Sequence, residues 1–195
     1  MPPLPPLTQA LILANVAFYA LDVLLGGLLT NWFALWPLGS AFMPWQIGTY
    51  AFLHGSFGHL FFNMLGLWMF GSELERLWGG KRYLQLYFAS VLTAALTQLV
   101  VGLLFGGAPT VGASGGLFGL LLAYGMMFPN RTIMLLIPPI PMKAKTFVVV
   151  FGVLELALGV YSPTGGVAHF AHLGGMLGGW LMIRHWRGQG PFGRR

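Results

Sequence analysis

Apolar stretches long enough to enter a lipid bilayer set the tightest limit on how this chain can fold. We place six of them, with ends defined to within a few residues. They run from Leu7 to Leu29, Phe57 to Leu74, Tyr83 to Phe105, Ser114 to Phe128, Thr146 to Tyr161 and Ala168 to Trp186. Only 7% of the 195 residues are charged, against about 25% in soluble globular proteins. The sequence therefore predicts an all-α polytopic membrane protein with six transmembrane helices.

The fourth span is too short to cross a membrane. From Ser114 to Phe128 there are 15 residues, about 22 Å as a helix, whereas the hydrocarbon core is about 30 Å thick. Since the charged Arg131 follows its far end, the shortfall must lie at Ser114. We expect Ser114 to lie below one membrane surface. The loop before it, residues 106 to 111, must then dip into a protein-lined or water-filled cavity.

A hydroxyl in such a cavity is a candidate nucleophile. Ser114 lies in the run Gly112-Ala113-Ser114-Gly115-Gly116, at the start of the predicted helix. Backbone N–H groups and the positive end of the helix dipole favour developing negative charge there.

The basic residues follow alternate spans, which predicts the topology. The connections after the first, third and fifth spans contain no Lys or Arg. By the positive-inside rule, both termini lie in the cytoplasm and Ser114 faces the extracytoplasmic side. The net charge of +6 is therefore a topology signal, and no nucleic-acid partner is expected.

The sequence contains no internal repeat, low-complexity tract or domain linker, which predicts one membrane domain over residues 1–195. The first span has no basic region before it and is too long for a signal peptide, so we expect it to be retained. The neutral connection from Thr30 to Gly55 is rich in tryptophan and other aromatic residues. Such residues favour the headgroup region, which predicts an interfacial first loop.

Polar side chains open the second span. His59 and Asn63 are four residues apart and share one helix face, at the level of Ser114. Intramembrane polar groups often mark a site, but they also join helices, at about 0.6 to 2 kcal/mol per contact. The spacing leaves both interpretations open. His54, nearer the surface, is expected to be interfacial or structural.

The sixth span carries a histidine on a glycine stripe. His172 is followed by small residues at helical spacing, a pattern that lets two helices approach closely. The stripe consists of Gly175 and Gly179, and its counterpart on the fourth span is Ser114 or Gly115 with Gly119 and Ala123. If the stripes meet, His172 lies beside Ser114.

Histidine is the usual base for a serine nucleophile. Two acidic residues lie well inside the spans, Asp22 and Glu155, and the predicted register brings neither near His172. The sequence therefore favours a Ser-His dyad over a triad and assigns no role to these carboxylates. The Ser114 N–H, His59 and Asn63 could donate to an oxyanion.

A metal site is the alternative for the histidines. His169 and His172 form a His-x-x-His pair, but the predicted register gives no carboxylate or cysteine at matching depth to complete a site. The chain has no cysteine, which also excludes disulfides and thiol chemistry. We expect no metal and no cofactor.

Three strings, HGSFGHLFFNM, GASGG and AHLGG, occur in that order on the second, fourth and sixth spans, and GSELERLWG follows the second. Together they resemble the rhomboid intramembrane serine proteases over about the whole chain. The resemblance implies a six-helix core with Ser114 as nucleophile, His172 as base, and His59, Asn63 and the Ser114 amide as oxyanion hole. Supporting positions are Gly112, Gly115, Phe118, Gly175 and Gly179. Some members have tyrosine where this chain has Phe118, which keeps the ring and loses the hydroxyl.

The predicted function is an intramembrane serine endopeptidase that cleaves transmembrane-helix substrates near the extracytoplasmic side. Its partners would be transmembrane proteins and the lipid bilayer, in the cell membrane of a bacterium or archaeon. The alternative is a non-catalytic rhomboid-like protein that binds or chaperones transmembrane clients. The fifth span, expected to be the neighbour of the site with the fewest polar tethers, is the predicted substrate gate. Phe147, Phe151 and Leu154 would face it, and residues 162 to 167 would form a mobile cap.

Overall fold

The computed structural model describes residues 3–39, 41–134, 139–161 and 168–188. This part of the chain is mainly helical. Its elements are α1 (Pro6–Leu24), α2 (Leu28–Phe33), α3 (Gln46–Thr49), a 3-10 turn (Tyr50–Phe52), α4 (Phe57–Gly66), a π-helical segment (Leu67–Gly71), α5 (Ser72–Phe105), α6 (Ser114–Met127), β1 (Thr132–Met134), β2 (Pro141–Lys143), α7 (Ala144–Tyr161) and α8 (His169–Trp186). The strands pair antiparallel.

Every predicted span coincides with helical structure. The first ends earlier than predicted, at Leu24 and not Leu29, because Gly26 and Gly27 adopt φ values of 63° and 86°. Among the described residues, three helical runs are long and apolar enough to cross a membrane by length and composition. They are Pro6–Leu24, Phe57–Phe105 and Ala144–Tyr161. The count of six crossings and the single domain stay predictions.

The second and third spans are one helical run that folds back at Gly79. This residue has φ 75° and ψ 164°, outside the helical region. A Cβ on Gly71 would lie 2.8 Å from the Tyr83 hydroxyl, although a straight helix would separate the two residues by about 18 Å. The chain therefore reverses between them, and the last part of α5 returns beside its own start.

Helix α8 packs between α5 and α6 through paired glycines. A Cβ atom added to Gly175 would collide with the Gly115 carbonyl oxygen. A Cβ atom added to Gly179 would lie 2.8 Å from the Gly119 carbonyl oxygen. On the other side, a Cβ on Gly178 would lie 2.8 Å from the Ala89 oxygen of α5. Backbones meet on both sides of α8. The sequence predicted one of these two contact surfaces.

The first connection folds against the loop that precedes α6. Leu35 and Thr110 exchange two backbone hydrogen bonds, each 2.9 Å. The Gly112 N–H donates to the Tyr50 carbonyl, also at 2.9 Å, and the Tyr50 hydroxyl donates to the Val91 carbonyl of α5. The irregular segment before Ser114 thus forms hydrogen bonds with the backbone of the first connection at Thr110 and Gly112. The interfacial position of this connection stays a prediction.

Two carboxylates hold the N-terminal helix. The buried Glu75 accepts hydrogen bonds from the Thr8 N–H and hydroxyl, each 2.7 Å. Asp22 accepts from the Thr30 N–H at 3.0 Å and from its hydroxyl. Asp22, to which the sequence assigned no role, therefore joins α1 to α2.

Candidate active site

Ser114 and His172 meet where α6 and α8 begin. The Ser114 Oγ lies 2.9 Å from His172 Nε2, a hydrogen-bond distance. The contact follows from the helix packing, because the Gly115 and Gly175 backbones touch one residue beyond Ser114 and three beyond His172. A histidine with its proton on Nδ1 can accept the serine proton at Nε2.

Phe118 fixes the plane of the His172 ring. Their ring centroids are 4.2 Å apart and the planes differ by 5°. Phe118 lies four residues after Ser114, so both side chains are on the α6 face that meets α8. Stacking restricts rotation of the imidazole and holds Nε2 toward Ser114.

His59 approaches Ser114 across a glycine. A Cβ on Gly112 would lie 2.7 Å from two His59 ring atoms and 3.6 Å from the Ser114 Oγ. Gly112 has φ 129°, a conformation that other residues rarely adopt. Ser56 caps α4 by accepting from the His59 N–H at 3.2 Å. A side chain at position 112 would displace the imidazole from the site.

Asn63 lies one turn further along α4. Its amide nitrogen donates to the His59 carbonyl at 3.0 Å, which orients the side chain and leaves a second hydrogen for another acceptor. Asn63 is buried. It lines a cavity of about 640 Å³ together with His59, Ser114, Phe118 and His172. The four predicted polar groups therefore share one cavity.

His54 packs behind this cavity. Its ring centroid is 4.9 Å from that of His59, and neither ring nitrogen has a hydrogen-bond partner within the described ranges. Burial and the neighbouring His59 lower the pKa of His54 to about 4. The ring stays neutral near pH 7 and adds no charge beside His59.

Glu155 of α7 reaches His169 and His172 of α8, which corrects the predicted register. Its Oε2 lies 2.7 Å from His169 Nδ1 and 2.9 Å from His172 Nδ1. The expectation that no carboxylate stands near His172 was wrong, and so was the reason given against a metal. These three side chains could hold an ion, since their ligand atoms lie within 4.8 Å of one another.

Comparison with known proteins gives the family. The family model of the rhomboid domain matches residues 41–187. The chain belongs to the rhomboid family. It is 36% identical over 140 residues to Rhomboid protein 1, mitochondrial, of Saccharomyces cerevisiae, an alignment that covers 67% of this chain and 38% of that protein.

Two bacterial relatives carry protease in their names. The rhomboid is 32% identical over 139 residues to Rhomboid protease GluP of Bacillus subtilis, which covers 70% of the chain and 25% of the relative. It is 31% identical over 183 residues to Rhomboid protease GlpG of Yersinia pestis, covering 91% of the chain and 61% of the relative. The chain thus spans at most 61% of these relatives' length. Family and apolar helices together make this rhomboid an integral membrane protein.

The predicted gate of this rhomboid also needs correction. Helix α7 was expected to be the neighbour with the fewest polar tethers, but Glu155 holds it to both histidines of α8. Leu154 is 49% exposed on the outside of α7, whereas Phe147 is buried against the core. The three predicted gate residues therefore do not share one environment. The predicted cap, residues 162 to 167, lies outside the described residues.

Counting residues from the end of α7 and from the start of α8 could have placed Glu155 near His172. It lies six residues before α7 ends at Tyr161, about 9 Å, and His172 lies three residues after α8 begins at His169, about 4.5 Å. In an antiparallel pair the difference of about 4.5 Å is within reach of a glutamate side chain. The sequence therefore could predict that Glu155 and His172 lie at similar depth, although it could not predict the tilt between the two helices.

Proposed function

We propose that this rhomboid is a serine endopeptidase that cleaves transmembrane-helix substrates within the membrane. The observation that carries the proposal is the 2.9 Å contact between Ser114 Oγ and His172 Nε2, at a helix start that borders the cavity lined by His59 and Asn63. The two relatives named as rhomboid proteases support the same activity.

The chemistry follows from the positions of the four polar groups. Ser114 Oγ attacks the scissile carbonyl carbon while its proton moves to His172 Nε2. The Ser114 N–H, His59 and Asn63 donate to the oxyanion that forms. His172 then protonates the leaving nitrogen as the C–N bond breaks. Water, deprotonated by His172, hydrolyses the acyl-enzyme and restores Ser114.

The substrate side follows from the distribution of charge. The basic residues follow alternate spans, so both termini would be cytoplasmic and the Ser114 cavity extracytoplasmic. A substrate helix would be cut near its extracytoplasmic end. The bilayer and single-span membrane proteins are then the partners to test.

Cleavage by purified protein in liposomes tests the activity. The assay incubates a panel of single-span membrane proteins with wild type, Ser114→Ala, His172→Ala and the double mutant. Each single substitution should abolish cleavage, and the double mutant should be no worse, because members of one catalytic unit are non-additive. Roughly additive losses would contradict the dyad. If wild type binds the single-span proteins without cleaving them, and the substituted variants bind them equally well, the protein would be a non-catalytic client-binding protein.

A further inference from the structure

A carboxylate lies against the nitrogen of His172 that faces away from Ser114. Nε2 contacts the Ser114 Oγ at 2.9 Å, and Nδ1 lies 2.9 Å from Glu155 Oε2. We propose that Glu155 is a positioning residue that holds the proton of His172 on Nδ1 and so keeps Nε2 free to accept the serine proton. This inference rests on the proposed roles of Ser114 and His172.

The burial of Glu155 requires partners for its charge. Its side chain is 12% exposed, while its neighbours Leu154 and Leu156 are 49% and 51% exposed on the outer face of α7. An acidic side chain inside a membrane helix is costly and turns toward polar partners. Here the partners are the two α8 histidines, so Glu155 is directed at the candidate active site.

An ionised carboxylate selects the histidine tautomer. It accepts hydrogen bonds and donates none, so the ring nitrogen that faces it carries the proton. For His172 this is Nδ1, which leaves the Nε2 lone pair toward Ser114. In the present conformation His172 Nδ1 lies 2.9 Å from Oε2 without forming a hydrogen bond. Catalytic hydrogen bonds are often misaligned before a substrate binds.

The distances favour hydrogen bonding over a shared metal. Two ligands of one tetrahedral zinc, each with a bond of about 2.0 to 2.1 Å, lie roughly 3.3 Å apart. The two histidine nitrogens are 2.7 and 2.9 Å from the carboxylate oxygen, which are ordinary hydrogen-bond lengths. His169 donates to the same oxygen and helps to hold the carboxylate in place.

Kinetics of Glu155→Gln test the proposal in the full chain in liposomes. The amide keeps the shape but can donate to Nδ1, which favours the wrong tautomer. The expected kcat falls about 10²- to 10⁴-fold, as when the carboxylate of a serine protease triad becomes an amide, with KM within about twofold. The control Leu156→Gln places the same amide on the outer face of α7 and should keep wild-type kcat. Wild-type kcat in Glu155→Gln, beside an inactive Ser114→Ala, would overturn the proposal and leave the protease function intact.

The tautomer itself gives a readout that does not need cleavage. Nitrogen NMR of histidine-labelled protein should show neutral His172 protonated on Nδ1 in wild type and on Nε2 in Glu155→Gln, with His172→Asn identifying the signal. The same tautomer in both proteins would overturn the role of Glu155, even if the protease function fails. Loss of activity on chelation that zinc restores would also overturn it, because the cluster would then be a metal site.

Discussion

Ser114 depends on two glycines that let other groups come close to it. Gly112 gives room to the His59 ring, and a Cβ on Gly115 would lie 2.9 Å from the Tyr50 hydroxyl. A larger residue at either position would have to displace these side chains. The Ser114 hydroxyl and the His59 ring therefore both lie close to Gly112, a position that carries no reactive group.

The contribution of Asn63 can be measured by removing its amide. Asn63→Ala should lower kcat about 10²- to 10³-fold, which is typical for loss of one oxyanion donor, and should change KM little. Steady-state cleavage of one reconstituted substrate gives both constants. An effect confined to KM would assign Asn63 to substrate binding.

The sequence could predict the residues that break an apolar pattern. Ser114, His59, Asn63 and His172 are polar groups in apolar helices, and helical spacing set their faces. Glu155 was missed because spacing was considered along single helices, without comparing its distance from the end of α7 with that of His172 from the start of α8. Asp22 was left without a role because its partner Thr30 lies beyond a glycine turn.

At the scale of helices, the glycine contact between α6 and α8 brings the two candidate catalytic residues together. Gly175→Ala would drive a methyl group into the Gly115 carbonyl oxygen, and backbone cannot move aside cheaply. The expected loss of stability is about 1 to 3 kcal/mol or more, with loss of cleavage because Ser114 and His172 separate. Thermal unfolding in detergent and a cleavage assay measure the two effects.

Gly152→Ala on α7 is the matched control. Its Cβ would lie 3.7 Å from the Met176 sulfur, an ordinary contact. Alanine in a helix interior is favoured over glycine by up to about 1 kcal/mol, so this variant should be neutral or slightly more stable. Equal destabilisation by both substitutions would contradict a specific role for the α6–α8 contact.

Helix α7 remains the expected gate, with a revised set of side chains. Phe151 is partly buried and its ring centroid lies 4.3 Å from that of Phe147. Phe151→Ala should loosen α7 and raise turnover of an embedded substrate, while a small soluble probe reacts with Ser114 at its former rate. Phe147→Ala should instead lose stability, by about 3 to 5 kcal/mol, because Phe147 is core.

Three measurements on each variant separate these outcomes: embedded-substrate turnover, probe-labelling rate and thermal stability. Leu154→Ala, at an exposed position, should leave all three near wild type. If Phe151→Ala reduced all three together, Phe151 would be ordinary core and α7 would not be the gate.

At the scale of the whole molecule, the orientation in the membrane can be tested directly because the chain has no cysteine. Gly39 lies in open space in the first connection, and Lys143 is exposed in β2. In intact cells, a membrane-impermeant maleimide should label Gly39→Cys and not Lys143→Cys. The reverse pattern would place Ser114 at the cytoplasmic side.

The overall helix order followed from the apolar runs, because a backbone segment in lipid must form its hydrogen bonds internally and therefore becomes a helix. The return of the chain at Gly79 agrees with the predicted connection between the second and third spans. The second glycine surface of α8 did not follow, since it depends on contacts between distant residues. The β1–β2 pair was also missed, because each strand has only three residues. Such a strand is too short to show a clear alternation of polar and apolar residues.

The most direct test of Ser114 as nucleophile and His172 as base is to identify the residue that a serine-directed fluorophosphonate modifies. The membrane-reconstituted protein is labelled, digested and mapped by mass spectrometry, with cooperative thermal unfolding as evidence of folding. The proposed Ser114–His172 pair predicts one adduct on Ser114, no adduct in Ser114→Ala, and labelling about 10²-fold slower or more in His172→Ala, the usual contribution of a general base. Folded wild-type protein without an adduct, or with the same adduct elsewhere in Ser114→Ala, would contradict it.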